Sequence, residues 1–271
     1  MPDTLRVAAV QLQSTADVAA NLQQVRALCT RAVSAFGAQL VVLPENFAFQ
    51  GAEADKRITA ESLEGQGPIV STLRELARGL AVDLIAGGMP ERAEDPDRPF
   101  NTSVHVGADG VLRASYRKVH LFDVDPGDGH AYRESAATTA GAAPVTTTVQ
   151  GAEVGLSICY DLRFPELYRA MHTARIVTVP AAFTAATGKD HWHVLLRARA
   201  IENQVFVIAP AQHGTHPDTK RTTYGKSLIV DPWGDVLAQA PEGPGLAVAE
   251  LDFRRQDAVR RGMPVATHRR L

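Results

Sequence analysis

Short apolar runs set the terms on which this chain can fold. LRVAAVQL (5–12), LVVLPE (40–45), VDLIAGG (82–88), RIVTVPAAF (175–183), VFVIAPAQ (205–212) and LAVAELD (246–252) have the length and apolar content of buried strands. After the first run, Val18, Leu22, Val25, Cys29, Ala32, Val33 and Phe36 recur at steps of three and four, so 17–36 predicts an amphipathic helix that Gly37 ends. Residues 69–80, 165–174, 191–203 and 252–262 predict further helices. Other neighbouring strands are joined by tight turns. Hairpins are expected over 101–120 around Asp109-Gly110, 146–158 around Gln150-Gly151, and 227–240 around DPWGD. Helical crossovers imply parallel pairing and hairpins imply antiparallel pairing, so the expectation is mixed sheets with helices packed outside, in one domain. Residues 123–144, rich in Gly, Pro, Asp and Thr, read as a long loop, of a length that is often functional.

The composition excludes several classes. A chain of 271 residues, 45% hydrophobic and 21% charged, can bury a large core without disulfides or metals. A net charge of −2 gives no general reason to expect nucleic acid or an anionic membrane as partner. The Arg-rich tail RRQDAVRRGMPVATHRR (254–270) reads as a solvated helix and a subunit contact. No run approaches the roughly 20 apolar residues of a membrane span. The apolar run in MPDTLRVAAVQLQ is too short for a signal peptide, being interrupted by Gln11 and Gln13. Two cysteines, Cys29 and Cys159, make no disulfide framework and fit a reducing compartment, so a cytoplasmic location is expected. HWH (191–193) and HGTH (213–216) pair histidines without the acidic or thiol partners of a metal site, so no metal is expected.

Three residues at strand ends carry chemistry. Glu45 ends LVVLPE, Lys118 ends a hairpin strand in YRKVHLFD, and Cys159 ends VGLSICYD. Taken singly, each has an ordinary reading: a solvated carboxylate, an exposed cation and a small core residue. Together they form a nucleophile and its activators. Strand ends of one sheet share a rim, so the three can converge in a cleft. Lys118 can lower the thiol pKa and donate to the oxyanion of a tetrahedral intermediate. Glu45 can take the thiol proton, deliver it to a leaving amine, and later activate water. A Cys-His pair, Cys159 with His120 or His193, is an alternative that leaves Glu45 and Lys118 unexplained. A non-enzymatic binding protein is the alternative from another class, and a fast-reacting thiol would discriminate against it.

LPEN (43–46), YRKVHLFD (116–123) and CYDLRFPELYR (159–169), in that order, resemble the nitrilase superfamily of carbon–nitrogen hydrolases, and the resemblance runs from AAVQLQ to GMPVATHRR. It implies an α-β-β-α sandwich with two mixed sheets between helical layers, covering 1–271 as one domain. It also implies a Glu-Lys-Cys triad of Glu45, Lys118 and Cys159, a thioester acyl-enzyme and no cofactor. A second glutamate on the loop after the lysine matches Glu134, which would orient Lys118 or the substrate amide. The family's habit of assembling through helices beside the nucleophile implies a homodimer or larger.

TGKDHWHVLLRARAIENQ (187–204) resembles the branch that hydrolyses 2-oxoglutaramate-type amides, with either ammonia or cysteinylglycine leaving. AQHGTHPDTKRTTYGKSLIVDPWG (211–234) looks more like the cysteinylglycine-releasing members, departing from them at Pro210 and at Lys226. The substrate expected is a small amide carrying carboxylate. Its cations would come from Arg163, Arg197, Arg199 or Lys189, because a guanidinium bonds a carboxylate bidentately. Tyr160, next to the thiol, is a further candidate contact. His213 and His216 read as surface-loop histidines.

Overall fold

The computed structural model describes residues 2–125, 127 and 131–270. In chain order, β1 (Thr4–Gln11) leads into α1 (Val18–Phe36), and β2 (Leu40–Leu43) into α2 (Pro68–Leu80). Then follow β3 (Asp83–Glu91), β4 (Phe100–Val106), β5 (Leu112–Arg117) and the short ribbon β6 (Asp123–Val124) with β7 (Tyr132–Arg133). Positions 126 and 128–130 of the expected long loop lie outside the described residues.

The second half runs β8 (Val145–Val149), β9 (Ala152–Leu156), α3 (Pro165–Ala170), β10 (Ile176–Thr178), α4 (Ala185–Asn203) and β11 (Phe206–Ala209). It continues through the ribbon β12 (His213–Thr215) and β13 (Thr222–Tyr224), then β14 (Leu228–Val230), β15 (Val236–Gln239), β16 (Gly245–Asp252), α5 (Phe253–Gly262) and α6 (Val265–His268).

Two six-stranded sheets result, ordered β16-β1-β2-β3-β4-β5 and β8-β9-β10-β11-β14-β15. Read in that direction, each is antiparallel at its first pair, parallel at the next two, and antiparallel at the last two. The parallel pairs are those joined by helices, and the hairpins supply antiparallel pairs. Central strands bury both faces. On β1, Val7 and Ala9 join the core between the sheets, while Ala8 and Val10 join Leu22, Val25 and Cys29 of α1 and Leu73 of α2. Trp192, Leu196 and Ala200 of α4 pack on the second sheet. The layers are therefore α-β-β-α, the architecture the motifs implied.

The equivalent third strands, β2 and β10, are followed by Pro44-Glu45-Asn46-Phe47 and Pro180-Ala181-Ala182-Phe183. These two exits face each other across the sandwich. The Ala182 N–H donates to Glu45 Oε2 at 2.8 Å. Gly87 and Gly88 on β3 permit this approach: a Cβ on Gly87 would meet Pro180 Cγ at 2.0 Å, and one on Gly88 (φ +75°) would meet Glu45 Cγ at 2.8 Å.

Helix α4 starts at Ala185 rather than at His191. Gly188 interrupts the helical signal in AATGKD, but a Cβ there would lie 2.5 Å from the Tyr224 Cβ, so packing against β13 requires glycine. No helix among the described residues is long and apolar enough to cross a membrane.

Candidate active site

Strands β2, β3 and β5 run in one direction, so Glu45 and Lys118 emerge on one rim of the first sheet. Cys159 leaves the second sheet after β9. The three groups thus converge across two facing sheets, where the sequence suggested a single rim.

Cys159 opens a 3-10 turn (Cys159–Arg163) with φ +48°, a left-handed backbone uncommon for a residue with a Cβ. Its N–H donates to Pro180 O at 2.8 Å, and the fully buried Asp161 fixes the rest of the turn. Asp161 Oδ2 accepts from Ile158 N (2.8 Å) and Tyr116 Oη (2.7 Å). Asp161 Oδ1 accepts from His120 N (3.1 Å) and lies 2.8 Å from His120 Nδ1. One carboxylate therefore ties the thiol's turn to the strand that carries Lys118, and His120 stacks on Phe164 with ring centroids 3.7 Å apart.

Lys118 is buried between two carboxylates. Its Nζ donates to Glu45 Oε1 (3.0 Å) and to Glu134 Oε1 (3.0 Å) and Oε2 (2.8 Å). Asn101 Nδ2 donates to Glu45 Oε1 (2.9 Å) and Glu134 Oε1 (3.2 Å), and the Phe122 N–H donates to Glu134 Oε2 (2.7 Å). Asn101 sits beside Lys118 across the β4–β5 pairing, where Thr102 opposes Arg117. A register shift between His105 and Val106 sets that pairing, so counting back from the Asp109-Gly110 turn would have placed Asn101 one residue off, opposite Arg117.

The electrostatics separate the groups. Burial pushes the Glu45 pKa up, but Lys118 and then Lys56 outweigh it and hold the carboxyl at about 2, so Glu45 is ionised at neutral pH. Burial, followed by the charge of Glu45, pushes the Cys159 thiol above its usual range, with Lys118 opposing. Lys118, despite burial, is raised well above its usual value by Glu134 and Glu45. The resting arrangement is a protonated thiol beside an ionised base and a fixed ammonium.

These residues lie in a cleft of about 640 Å³, mouth included. Tyr160, Phe122, Tyr132 and Phe183 form aromatic walls, and Lys56, Arg133 and Arg221 add three cations to Lys118. Lys56 arises from a 3-10 helix (Glu53–Arg57) and pairs with Glu53 Oε2 at 2.6 Å. Neither Lys56 nor Arg221 belongs to a motif that marked it as a site residue in the sequence.

The arginines expected to bind carboxylate sit elsewhere. Arg163 lies behind the wall, 5.2 Å from the Phe183 ring and 5.8 Å from that of Tyr160, with Nη1 3.3 Å from His191 Nδ1. Arg199 is buried, donating through Nε and Nη2 to Leu162 O (3.0 and 2.8 Å) and through Nη1 to Glu202 (2.8 Å). It braces the far end of the Cys159 turn. Arg197 Nε donates to Gly234 O at 2.7 Å, and Lys189 is exposed on α4. None of the four lines the cleft. His216 is buried rather than at the surface, between Ser14 O (2.8 Å) and Thr223 Oγ1 (2.9 Å). His213 is half-buried, with Nδ1 3.9 Å from Glu242 Oε2.

Comparison with known proteins agrees with this geometry. Residues 6–261 match the family model described as carbon-nitrogen hydrolase. The chain is 47% identical over 267 residues to a deaminated glutathione amidase of Synechocystis sp. (strain PCC 6803 / GT-S), covering 97% of each chain. It is 43% identical over 273 residues to the Rattus norvegicus protein of the same name, covering 97% of this chain and 82% of that one. The crystal structure of Saccharomyces cerevisiae Nit3, described as a member of branch 10 of the nitrilase superfamily, superposes with a TM-score of 0.90 at 32% identity, covering 100% of this chain and 98% of that one. The chain belongs to the carbon–nitrogen hydrolase family, in the nitrilase superfamily, and is an amide-hydrolysing enzyme.

Proposed function

We propose that residues 1–271 act as one hydrolase domain that cleaves deaminated glutathione to 2-oxoglutarate and cysteinylglycine through a thioester on Cys159. The observation that carries the reading is the placement of an ionised Glu45 and a clamped Lys118 around a buried, protonated thiol. The names of the full-length relatives support the choice of amide.

As Cys159 Sγ bonds to the amide carbon, its proton passes to Glu45. Transfer from the raised thiol to the lowered carboxyl is uphill alone, so it accompanies C–S bond formation. The developing oxyanion is held by Lys118 and by the N–H of Tyr160, which precedes the turn's own hydrogen bonds. Glu45 then protonates the leaving nitrogen as the C–N bond breaks. Water enters, gives its proton to Glu45 and attacks the thioester. The C–S bond breaks and the proton returns to sulfur. Glu134 keeps the Lys118 ammonium aimed and charged, and Tyr160 lines the acyl path. No step calls for a cofactor.

The substrate is read by kcat/KM on matched amides. Deaminated glutathione should exceed 2-oxoglutaramate by at least about 10-fold, since the peptide leaving group adds binding energy usable at the amide carbon. A ratio well below one would make ammonia the natural leaving group. No turnover of either, with turnover of a neutral or carbamoyl amide, would remove the substrate assignment.

The working unit in this reading is a cytoplasmic homodimer formed through the α3–α4 face beside the Cys159 turn. That face exposes Val194 (65%) and Ile201 (42%), with Trp233 (54%) on the adjoining hairpin. Light scattering should give twice the chain mass, and Val194→Glu with Ile201→Glu should halve it. A monomeric wild type would refute the assembly.

A further inference from the structure

Of the four cations on the described cleft lining, the mechanism calls on Lys118 alone, and Arg221 is the one best placed to meet a ligand. Lys118 is held by Glu45 and Glu134, and Lys56 by Glu53. Arg133 is exposed and donates through Nη1 to the carbonyls of Tyr132 (2.6 Å) and Val124 (3.3 Å). Arg221, at the start of β13, is half-buried and has no carboxylate bonded to it among the described residues. Its Nη2 donates to Ala182 O at 2.6 Å, and its Nε is buried without a partner. The guanidinium lies 5.0 Å from the Tyr132 ring and 6.0 Å from the Phe122 ring, both cleft walls. Glu53 is close enough to feel its charge but is committed to Lys56.

A planar cation with an unused buried N–H against aromatic walls suits a carboxylate, which accepts two parallel hydrogen bonds from such a fork. Charge agrees. The cleft lining carries three carboxylates (Glu45, Glu53 and Glu134) and four cations (Lys56, Lys118, Arg133 and Arg221), so it is matched to an anionic ligand.

Position indicates which carboxylate. Ala182 gives its N–H to Glu45 Oε2 and accepts Arg221 through its carbonyl, so one residue spaces the cation from the base. A fixed spacing serves a group that stays through both half-reactions, and only the acyl half does so. We propose that Arg221 is a specificity-determining residue that grips the remote carboxylate of the acyl group, on the 2-oxo acid side. This rests on the amide-hydrolase reading above and assigns its substrate recognition to a residue outside the catalytic motifs.

The test uses Arg221→Met, which keeps length and removes charge, and Arg221→Lys, which keeps charge and loses the fork. kcat/KM is measured on 2-oxoglutaramate, deaminated glutathione and neutral valeramide. Arg221→Met should lose about 10²-fold on both anionic amides, the scale of a truncated buried charge pair, and under about threefold on valeramide. Arg221→Lys should fall between. Equal losses on all three would overturn the assignment, as would a loss confined to deaminated glutathione, which would place the leaving peptide's carboxylate there. A binding readout is independent of turnover. 2-Oxoglutarate should slow alkylation of Cys159 by iodoacetamide in the wild type, valerate should not, and Arg221→Met should abolish the protection. If neither anionic amide is turned over but this protection follows Arg221, the substrate reading falls and the Arg221 assignment stands. Absence of protection in the wild type, or its persistence in Arg221→Met, would overturn it.

Discussion

Cys159→Ala should abolish turnover, by at least about 10⁴-fold, while the protein stays folded. Both halves of the expectation come from the site. Cys159 is 6% exposed, and it is the only thiol among the described cleft residues. Alanine fits the left-handed position as well as cysteine does, since both carry one Cβ, so the turn bonded to Pro180 O and Asp161 persists. Losing one buried sulfur costs on the order of 1 kcal/mol of packing. Activity and circular dichroism on the same preparation check this, with thermal melting displaced by only a few degrees. Residual turnover within about tenfold of wild type would exclude a covalent role for the thiol.

The residues that converge in the candidate site were legible because they sit where local patterns end. Glu45 follows a proline-terminated apolar run, and Cys159 follows the hairpin at Gln150-Gly151, both of which have positive φ (+46° and +83°). What the pattern leaves open is which strands become neighbours. β16 pairs with β1 along its whole length, Thr4 opposite Asp252, although most of the chain separates them. The division into two sheets places Cys159 opposite Glu45 instead of beside it, and no local signal encodes that.

The positions of the cations were hard to read for a related reason. Arg199 and Lys56 have the composition of surface residues, yet tertiary contacts bury both, one to brace Leu162 O and one to pair with Glu53. Arg163 is close to the nucleophile in sequence but behind its wall in space, because the 3-10 turn carries it past Tyr160. Arg221 enters the cleft only because the β12–β13 ribbon folds over the exit of β10, through the bridge between Thr184 and Thr223.

Glu45→Gln should reduce kcat by about 10³-fold or more, by removing a general base and acid from two successive steps. The amide keeps the shape but has a single acceptor oxygen, so it retains the bond from Lys118 or the bond from Ala182 and not both, and it cannot take the thiol proton. In the wild type the carboxyl is ionised because Lys118 and Lys56 lower its pKa against burial. Base function is therefore present above about pH 2 in the free enzyme and lost as pH falls through that value. Quenched-flow mass measurement on Glu45→Gln should detect no acylated protein. Rapid acylation followed by a stall would confine Glu45 to the second step.

The covalent intermediate itself is tested most directly by partitioning in aqueous methanol. 2-Oxoglutaramate and deaminated glutathione differ only in what leaves, so an acyl group held on Cys159 forgets which amide it came from. The ratio of methyl ester to 2-oxoglutarate should then be the same for both substrates at a given methanol concentration. A ratio that changes with the leaving group would mean that water and methanol attack the bound amide directly, and would contradict the thioester mechanism.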